Sequence, residues 1–374
     1  MAYSVSNRGS RGVSISAGEA TGALGDSVTV LPILVGLGAL TDVSLPHALL
    51  WFGVFQVAWG LVYGLPLSVE PMKALAGLAI AGALTLGELV AGGLAAGAVL
   101  LVAGRTGLLS RVAARVGDPV VRGVQLAVAL VLARSALDLA LAAPRLALAA
   151  AVVAGAVVAV TDRRAAPLVV LAGGAAFAVA RAGVPAPTLP ELAAFPGAAP
   201  ALTPDAASGV AGQLAMTVGN AAVATAALCA DYFDADVSPD DLAGSMGAMN
   251  LVAVPLGGLP MCHGSGGLAG KYAFGARSGG ANLLLGAGYL ALATVAGLVV
   301  AFPTAVLGVL LGLVALQLAA AARRSDALLL TAAVGAVGLL ANVGVAFLLG
   351  VAACAARDRW TDRGADRGAT DPTP

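Results

Sequence analysis

Residues 258–279, GLPMCHGSGGLAGKYAFGARSG, lie in the middle of strongly apolar sequence and hold much that a plain transmembrane helix avoids. They include a proline, a Cys-His pair, five glycines between Gly264 and Gly275, a lysine and an arginine. Irregular backbone and charge at membrane depth persist only where they are buried in protein or line a cavity. The stretch is therefore the first candidate for a working site.

Around it the composition is that of a membrane protein. With 59% hydrophobic and 11% charged residues and a mean hydropathy of +0.95, a soluble domain is excluded. A bilayer span needs roughly 20 apolar residues, and such runs recur from end to end. Formal net charge is zero, so no basic surface argues for nucleic acid. Cys229, Cys262 and Cys354 are scattered and make neither a disulfide framework nor a metal-ligand spacing. Residues 1–20, with Arg8 and Arg11, lack an apolar run before a cleavage site and read as a cytoplasmic tail. Of the twenty basic residues only Lys73 and Lys271 are lysines, and both fall in unusual intramembrane stretches. Codon bias accounts for the ratio but not for where the two lysines lie.

Apolar runs divide into about fourteen candidate spans: 22–40, 47–65, 66–83, 86–104, 119–140, 146–160, 167–182, 209–230, 243–259, 260–276, 281–301, 303–321, 326–341 and 343–356. With the N-terminus inside, Arg105, Arg111, Arg115, Arg163, Arg164, Arg277, Arg323, Arg324 and the tail from Arg357 all fall on the cytoplasmic side. The acidic loop 231–241 lands inside too, where acidic residues weigh little. A Pro/Ala-rich segment without basic residues, 183–208, falls outside and is the best boundary in the chain. It separates two comparable halves, 21–182 and 209–356, and leaves a polar tail, 357–374, expected to be disordered.

The halves match at a constant shift of 194. Gly64-Leu65-Pro66 meets Gly258-Leu259-Pro260, Gln56 meets Asn250, Glu19 meets Gln213, and Gly25-Asp26 meets Gly219-Asn220. Seven spans per half is an odd number, so the halves insert with opposite topology. Inverted repeats of this kind place a transporter's substrate site near the midplane, between corresponding interrupted segments.

In the first half that segment is GLPLSVEPMKALAGLAIAG, residues 64–82. Pro66 and Pro71 break a helix and push the residues before them to extended backbone. Residues 67–70 read as a short extended piece, with Pro71 opening a half-helix that runs to about Gly82. In the second half residues 260–263 are the extended piece, and a helix starts near Gly264 or Ser265, with Ser265 as its cap. A helix starting inside the membrane presents unpaired N–H groups and the positive end of a dipole. Two such starts facing each other make an anion site. The substrate-binding set is accordingly Ser68, Glu70, Pro71, Met72 and Lys73 with Cys262, His263, Gly264, Ser265, Gly266, Gly267 and Lys271. Asp26, Thr29 and Gln56, with Thr217, Asn220 and Asn250, line the cavity or couple to it, an intramembrane carboxylate being able to change charge in a transport cycle.

Blander readings stand beside these. Glycines in membranes also serve close helix packing, Lys271 also fits a side chain snorkelling to the interface, and Glu70 with Lys73 also fits a structural ion pair. Glu19 reads as a solvated residue at the inner surface. A nucleotide loop at 265–272 fails at both ends, since Ser265 stands for the first glycine and Tyr272 follows the lysine. No metal site and no catalytic residue is expected. Cys262-His263 is the one nucleophile–base candidate, and neighbours on an extended strand point to opposite faces.

PLSVEPMKALAGLAI and GLPMCHGSGGLAGKYAFGARSG together resemble the two signature segments of the MOT1-type molybdate transporters, a family related to the sulfate permeases (SulP superfamily). The likeness runs from GALGDSVTVLPI (22–33) through QLAMTVGNAAVATAALCADYF (213–233) to the last spans. It implies uptake of molybdate, with sulfate and tungstate as competitors, and a seven-plus-seven inverted-repeat fold. The tail after Cys354 is short and polar, so the permeases' regulatory domain is expected to be absent.

The expected fold is all-α and polytopic: about fourteen segments in two inverted repeats, with two strand/half-helix breaks at the midplane. The expected function is oxyanion transport by alternating access in the cell membrane, both termini cytoplasmic, without cofactor. The expected partners are the oxyanion, the lipid bilayer and a second copy of the chain as a homodimer. A sulfate or tungstate permease is the alternative; a nucleobase or organic-anion carrier and a membrane-embedded enzyme are further ones.

Overall fold

The computed structural model describes residues 12–113, 117–161 and 165–368, without the side chains of 112, 113 and 358–368. Arg8, Arg11, Arg115, Arg163, Arg164 and residues 369–374 lie outside the described residues.

The first half contains α1 (Ala17–Leu40), α2 (Leu45–Tyr63), strand β1 (Glu70–Pro71), α3 (Lys73–Ile80), α4 (Leu86–Thr106), the short α5 (Leu108–Ala113), α6 (Asp118–Ala142), α7 (Pro144–Val160) and α8 (Ala166–Ala182). An irregular segment then leads to α9 (Pro204–Met216), which runs through a π-helical stretch (Thr217–Ala224) into α10 (Thr225–Phe233). There follow α11 (Pro239–Ala253), strand β2 (Met261–Cys262), α12 (Ser265–Ala273), α13 (Gly280–Thr294), a 3-10 stretch (Ala296–Ala301), α14 (Thr304–Ala322), α15 (Leu328–Leu340) and α16 (Val343–Gly368). The chain is predominantly helical. Six helices among the described residues are long and apolar enough to cross a membrane; five more are apolar but shorter. On α7 only Ala147 and Ala154 are buried, while Leu148, Val152 and Val160 are exposed. An apolar surface of that kind faces lipid.

Several boundaries carry their causes in the sequence. Thr85 and Glu88 form a reciprocal capping box at α4, and Ser238 with Asp241 does the same at α11. Proline occupies the first turn of α2, α6, α7, α8, α9 and α11, where its missing N–H is no loss. The final helix differs from expectation: it continues to Gly368, so the first part of the polar tail is helical rather than disordered. Once a helix is nucleated, each added residue gains a bond at little cost.

What positions the site is the pairing of the two breaks. β1 and β2 run antiparallel, with Glu70 opposite Cys262 and Pro71 opposite Met261. The Met72 amide extends the ladder by donating to the Pro260 carbonyl at 2.8 Å. Each short strand thus supplies partners for the other's backbone inside an apolar protein, where an unpaired N–H or C=O is costly. Pro71 is in the strand, not at the helix start; α3 begins at Lys73 with Met72 as its cap residue. Strand pairing overrides the local preference of proline for a helix's first position. Asn250 of α11 fixes the second strand from the side. Its amide accepts from the Met261 N–H at 2.7 Å and donates to the Met261 carbonyl at 2.7 Å.

Replacing Asn250 by Ala strands both Met261 groups without partners, at about 1–3 kcal/mol each. A lowered thermal midpoint of the purified protein is the expected outcome, with partial recovery in Asn250→Gln only if the longer amide still reaches. An unchanged melt contradicts this assignment.

Candidate functional site

The ladder is antiparallel, so Met72 and Gly264, the cap residues of α3 and α12, lie at its opposite ends, and the two short helices lead away from one buried crossing. Four charged side chains collect there. Glu70 pairs with Lys73 one turn on, and Lys271 of α12 lies 3.1 Å from Asp26 of α1. Asp26, Glu70 and Lys271 are fully buried; the Lys73 side chain is 12% exposed and is the member that reaches accessible space.

Ser68 joins the two pairs. Its hydroxyl donates to Asp26 Oδ1 at 2.6 Å and lies 3.3 Å from Glu70 Oε1. Glu70 Oε1 also accepts the Gly267 amide of the first turn of α12 at 2.9 Å, a helix N-terminus holding a carboxylate. Gly267 must be glycine for this approach: a Cβ there would collide with Asp26, Glu70 and Ser68 together. Gly25 of α1 does similar work, since a Cβ on it would come within 2.8 Å of the Gly270 carbonyl of α12. Small residues let these helices touch backbone to backbone.

Lys271 is enclosed. Its ammonium donates to Gln56 Oε1 at 3.0 Å and Asn282 Oδ1 at 2.6 Å, with Asp26 as the third oxygen. Three oxygens match the three protons of an ammonium group. The lysine therefore does not snorkel. Gln56 in turn donates to Asp26 Oδ2 at 3.0 Å and to the Val69 carbonyl at 3.2 Å, and Asn282 donates to the Leu67 carbonyl at 2.6 Å.

The other sequence-predicted residues divide clearly. Ser265 does not cap α12, because Gly264 holds that place; its hydroxyl donates instead to Asn220 Oδ1 at 2.5 Å. Both ring nitrogens of His263 are occupied, by the Ser68 carbonyl at 2.9 Å and the Ser245 hydroxyl at 2.8 Å. The rings of Trp59 and Tyr63 pack edge-on against His263 at 6.3 and 6.2 Å, so Trp59 is an aromatic neighbour the sequence did not suggest. Cys262 is buried with its Sγ 3.9 Å from the Pro71 carbonyl. Thr217 accepts from Gln213 at 3.1 Å, and Thr29 bonds back to the Asp26 carbonyl at 3.4 Å, away from the charged cluster. Gly266 is exposed and Ser265 half-buried, so the start of α12 opens on accessible space.

Sequence reasoning misjudged Glu19 and missed Asn282. Glu19 is 2% exposed rather than solvated, and its carboxylate accepts the Arg277 and Ala281 amides at 3.0 Å each. Gln213, its counterpart at the shift of 194, accepts the Ala74 amide at the start of α3 at 2.9 Å. Asn282 had a signal: it is a lone amide in the apolar run GANLLLGAGYL.

A strand-to-helix break built twice, holding charge inside a shell of apolar helices, is the construction of a membrane transporter. The fold agrees. The transmembrane domain of BicA, a cyanobacterial bicarbonate transporter, superposes with a TM-score of 0.64 at 17% identity, covering 88% of this chain and 96% of that one. The structure of SLC26A9 does so with a TM-score of 0.65 at 13% identity, covering 90% and 64%. The family model described as "molybdate transporter of MFS superfamily" matches residues 18–132 and 205–318. Molybdate transporter 2 of Arabidopsis thaliana is 30% identical over 87% of this chain and 84% of its own length. Molybdate transporter 1 of Chlamydomonas reinhardtii is 29% identical over 90% and 91%. The chain belongs to the molybdate transporter family. Its relatives and fold neighbours are transporters, not enzymes. The family description names the MFS superfamily, whereas the fold match is to the BicA and SLC26A9 structures.

Replacing Lys271 by Met leaves Asp26 as an unpaired buried charge, a loss of roughly 3–5 kcal/mol. We expect the variant to be recovered poorly and to melt early in detergent, and Asp26→Asn combined with Lys271→Met to regain most of that loss. A double variant no better than the single one refutes the pairing.

Proposed function

We propose that the chain carries a tetrahedral oxyanion, molybdate first, across the cell membrane by alternating access. The anion binds between the starts of α3 and α12, with Lys73 as the positive charge it meets. The observation that carries this reading is that Lys73, the first residue of α3, reaches accessible space and shares the Glu70 carboxylate with the first-turn Gly267 amide of α12, in a chain whose relatives are named molybdate transporters. Unpaired first-turn N–H groups and a partial positive charge at each start suit an anion with four acceptor oxygens. Lys271, closed in by three oxygens, contributes field rather than contact, and His263 and Cys262 hold the strands rather than the substrate.

Residues 21–182 and 209–356 act as inverted repeats of seven segments each, with the β1–β2 pair at the membrane midplane and residues 183–208 outside. Reciprocal packing supports this: α2 lies on α13 and α4 on α11, α1 on α12 and α3 on α9. Polar pairs repeat in the same sense. Gln56 holds the first extended piece as Asn250 holds the second, and Asp26–Ser68 is echoed by Asn220–Ser265. A cavity of about 440 Å³ beyond the C-terminal end of α3, lined in part by Arg134, Asp138, Asp205 and Asn342, lies on the outer side in this arrangement and serves as the entry vestibule.

Labelled-molybdate uptake into proteoliposomes tests the reading. Lys73→Ala should abolish the saturable component while leaving yield and membrane insertion intact; uptake equal to wild type would sink the idea. Excess sulfate should compete weakly, and sulfate outcompeting molybdate makes the chain a sulfate permease instead.

A further inference from the structure

The place proposed for the anion already holds one. The Glu70 carboxylate takes the Gly267 amide at 2.9 Å and the Lys73 ammonium, two donors an oxyanion arriving at the start of α12 would need, and it is completely buried. A Cβ on Gly264 or on Gly267 would run into it, so these two glycines form the seat in which the carboxylate rests. The charges close on themselves without a ligand: two carboxylates, Asp26 and Glu70, face two ammonium groups, Lys73 and Lys271. A single N–H at Gly267 serves one acceptor well, and two anions a few ångströms apart in a dry site repel strongly. Lys73, on the other hand, keeps an opening toward accessible space that Glu70 lacks.

Resting on the binding reading above, we propose that Glu70 is a tethered competitor of the transported anion. In the empty carrier its carboxylate fills the oxyanion's place, and it vacates Gly267 and Lys73 before substrate binds. Tethering gives the carboxylate a high effective concentration. Free carboxylates, which offer the same two oxygens, therefore cannot displace it. A dianion with four acceptor oxygens engages Lys73 and the amides of α12 more fully. Glu70 thereby sets both the affinity and the rejection of carboxylates, at the level of the substrate site itself.

The test is equilibrium binding of labelled molybdate to the purified full-length protein in lipid nanodiscs. Glu70→Gln, which removes the charge and keeps the shape, should bind at least about tenfold tighter than wild type, the factor lost by a site that is competent one time in ten. In Glu70→Ala an untethered carboxylate can take the vacated seat, so formate should compete with molybdate there and not in wild type. Formate added during purification also restores the missing anion if Glu70→Ala folds poorly without it. Equal or weaker molybdate binding in both variants, with no formate competition in Glu70→Ala, overturns the proposal and leaves Glu70 as a partner that positions Lys73. Loss of binding in Lys73→Ala alongside that result keeps the binding reading intact. Wild-type binding in Lys73→Ala removes the binding reading, whatever Glu70 does.

Discussion

Everything at the centre of this protein depends on one constraint: main chain that leaves helical conformation inside an apolar molecule must find its hydrogen bonds in the protein. The chain meets it by bringing two such departures together. Residues 70–72 and 260–262 pair as a two-stranded antiparallel ladder, and side-chain amides close what the ladder leaves open, Asn250 on Met261, Gln56 on Val69 and Asn282 on Leu67. One amide at each of the starts of α3, α12 and α13 is met by a side chain, Gln213, Glu70 and Glu19 respectively. A site with directed N–H groups follows from this arrangement rather than being added to it.

The second layer is electrostatic. A lone charge so deeply buried is strongly disfavoured, and each of the four found here has a partner of opposite sign. The two pairs differ in kind. Asp26 and Lys271 are sealed from water and tied into amide oxygens, which suits a fixed strut between α1 and α12. Glu70 and Lys73 sit at the helix starts, and one member reaches accessible space. The first pair is held rigidly, and the second is the one within reach of accessible space. The π-helical stretch carrying Asn220, bonded to Ser265, is a further departure of the kind that gathers at functional places.

Much of this was legible in the residues. Pro66, Pro71 and Pro260 announced the breaks because proline cannot continue a helix, and the matched GLP triplets announced that the breaks correspond. Lys73 and Lys271 stood out because charge in an apolar run has to be there for a reason. Gln56, Asn250, Asp26 and Asn220 were found by the shift of 194, and all four hold bonds at or beside the breaks. The sequence also carried errors of a definite type. It put Pro71 into α3, gave Ser265 the cap of α12 and left Glu19 in solvent. Each was judged from neighbours in the chain, whereas β2, Asn220 and the start of α13 lie from 45 to 262 residues away and decided otherwise.

The sequence by itself determined that the chain is a helical membrane protein, where its helices break and that the charged groups at those breaks lie inside, because hydropathy, proline stereochemistry and the cost of buried charge act residue by residue. Only the tertiary structure decided which partner each polar group takes. Two lysines of equal local promise became a sealed strut and an accessible contact, since Asn282 and Gln56 reach one and not the other. Glu70 came to rest on Gly267, 197 residues away, because the ladder set α12 beside it. Hydrogen bonds are satisfied by proximity in space, and proximity between distant residues is settled by packing, not by order along the chain.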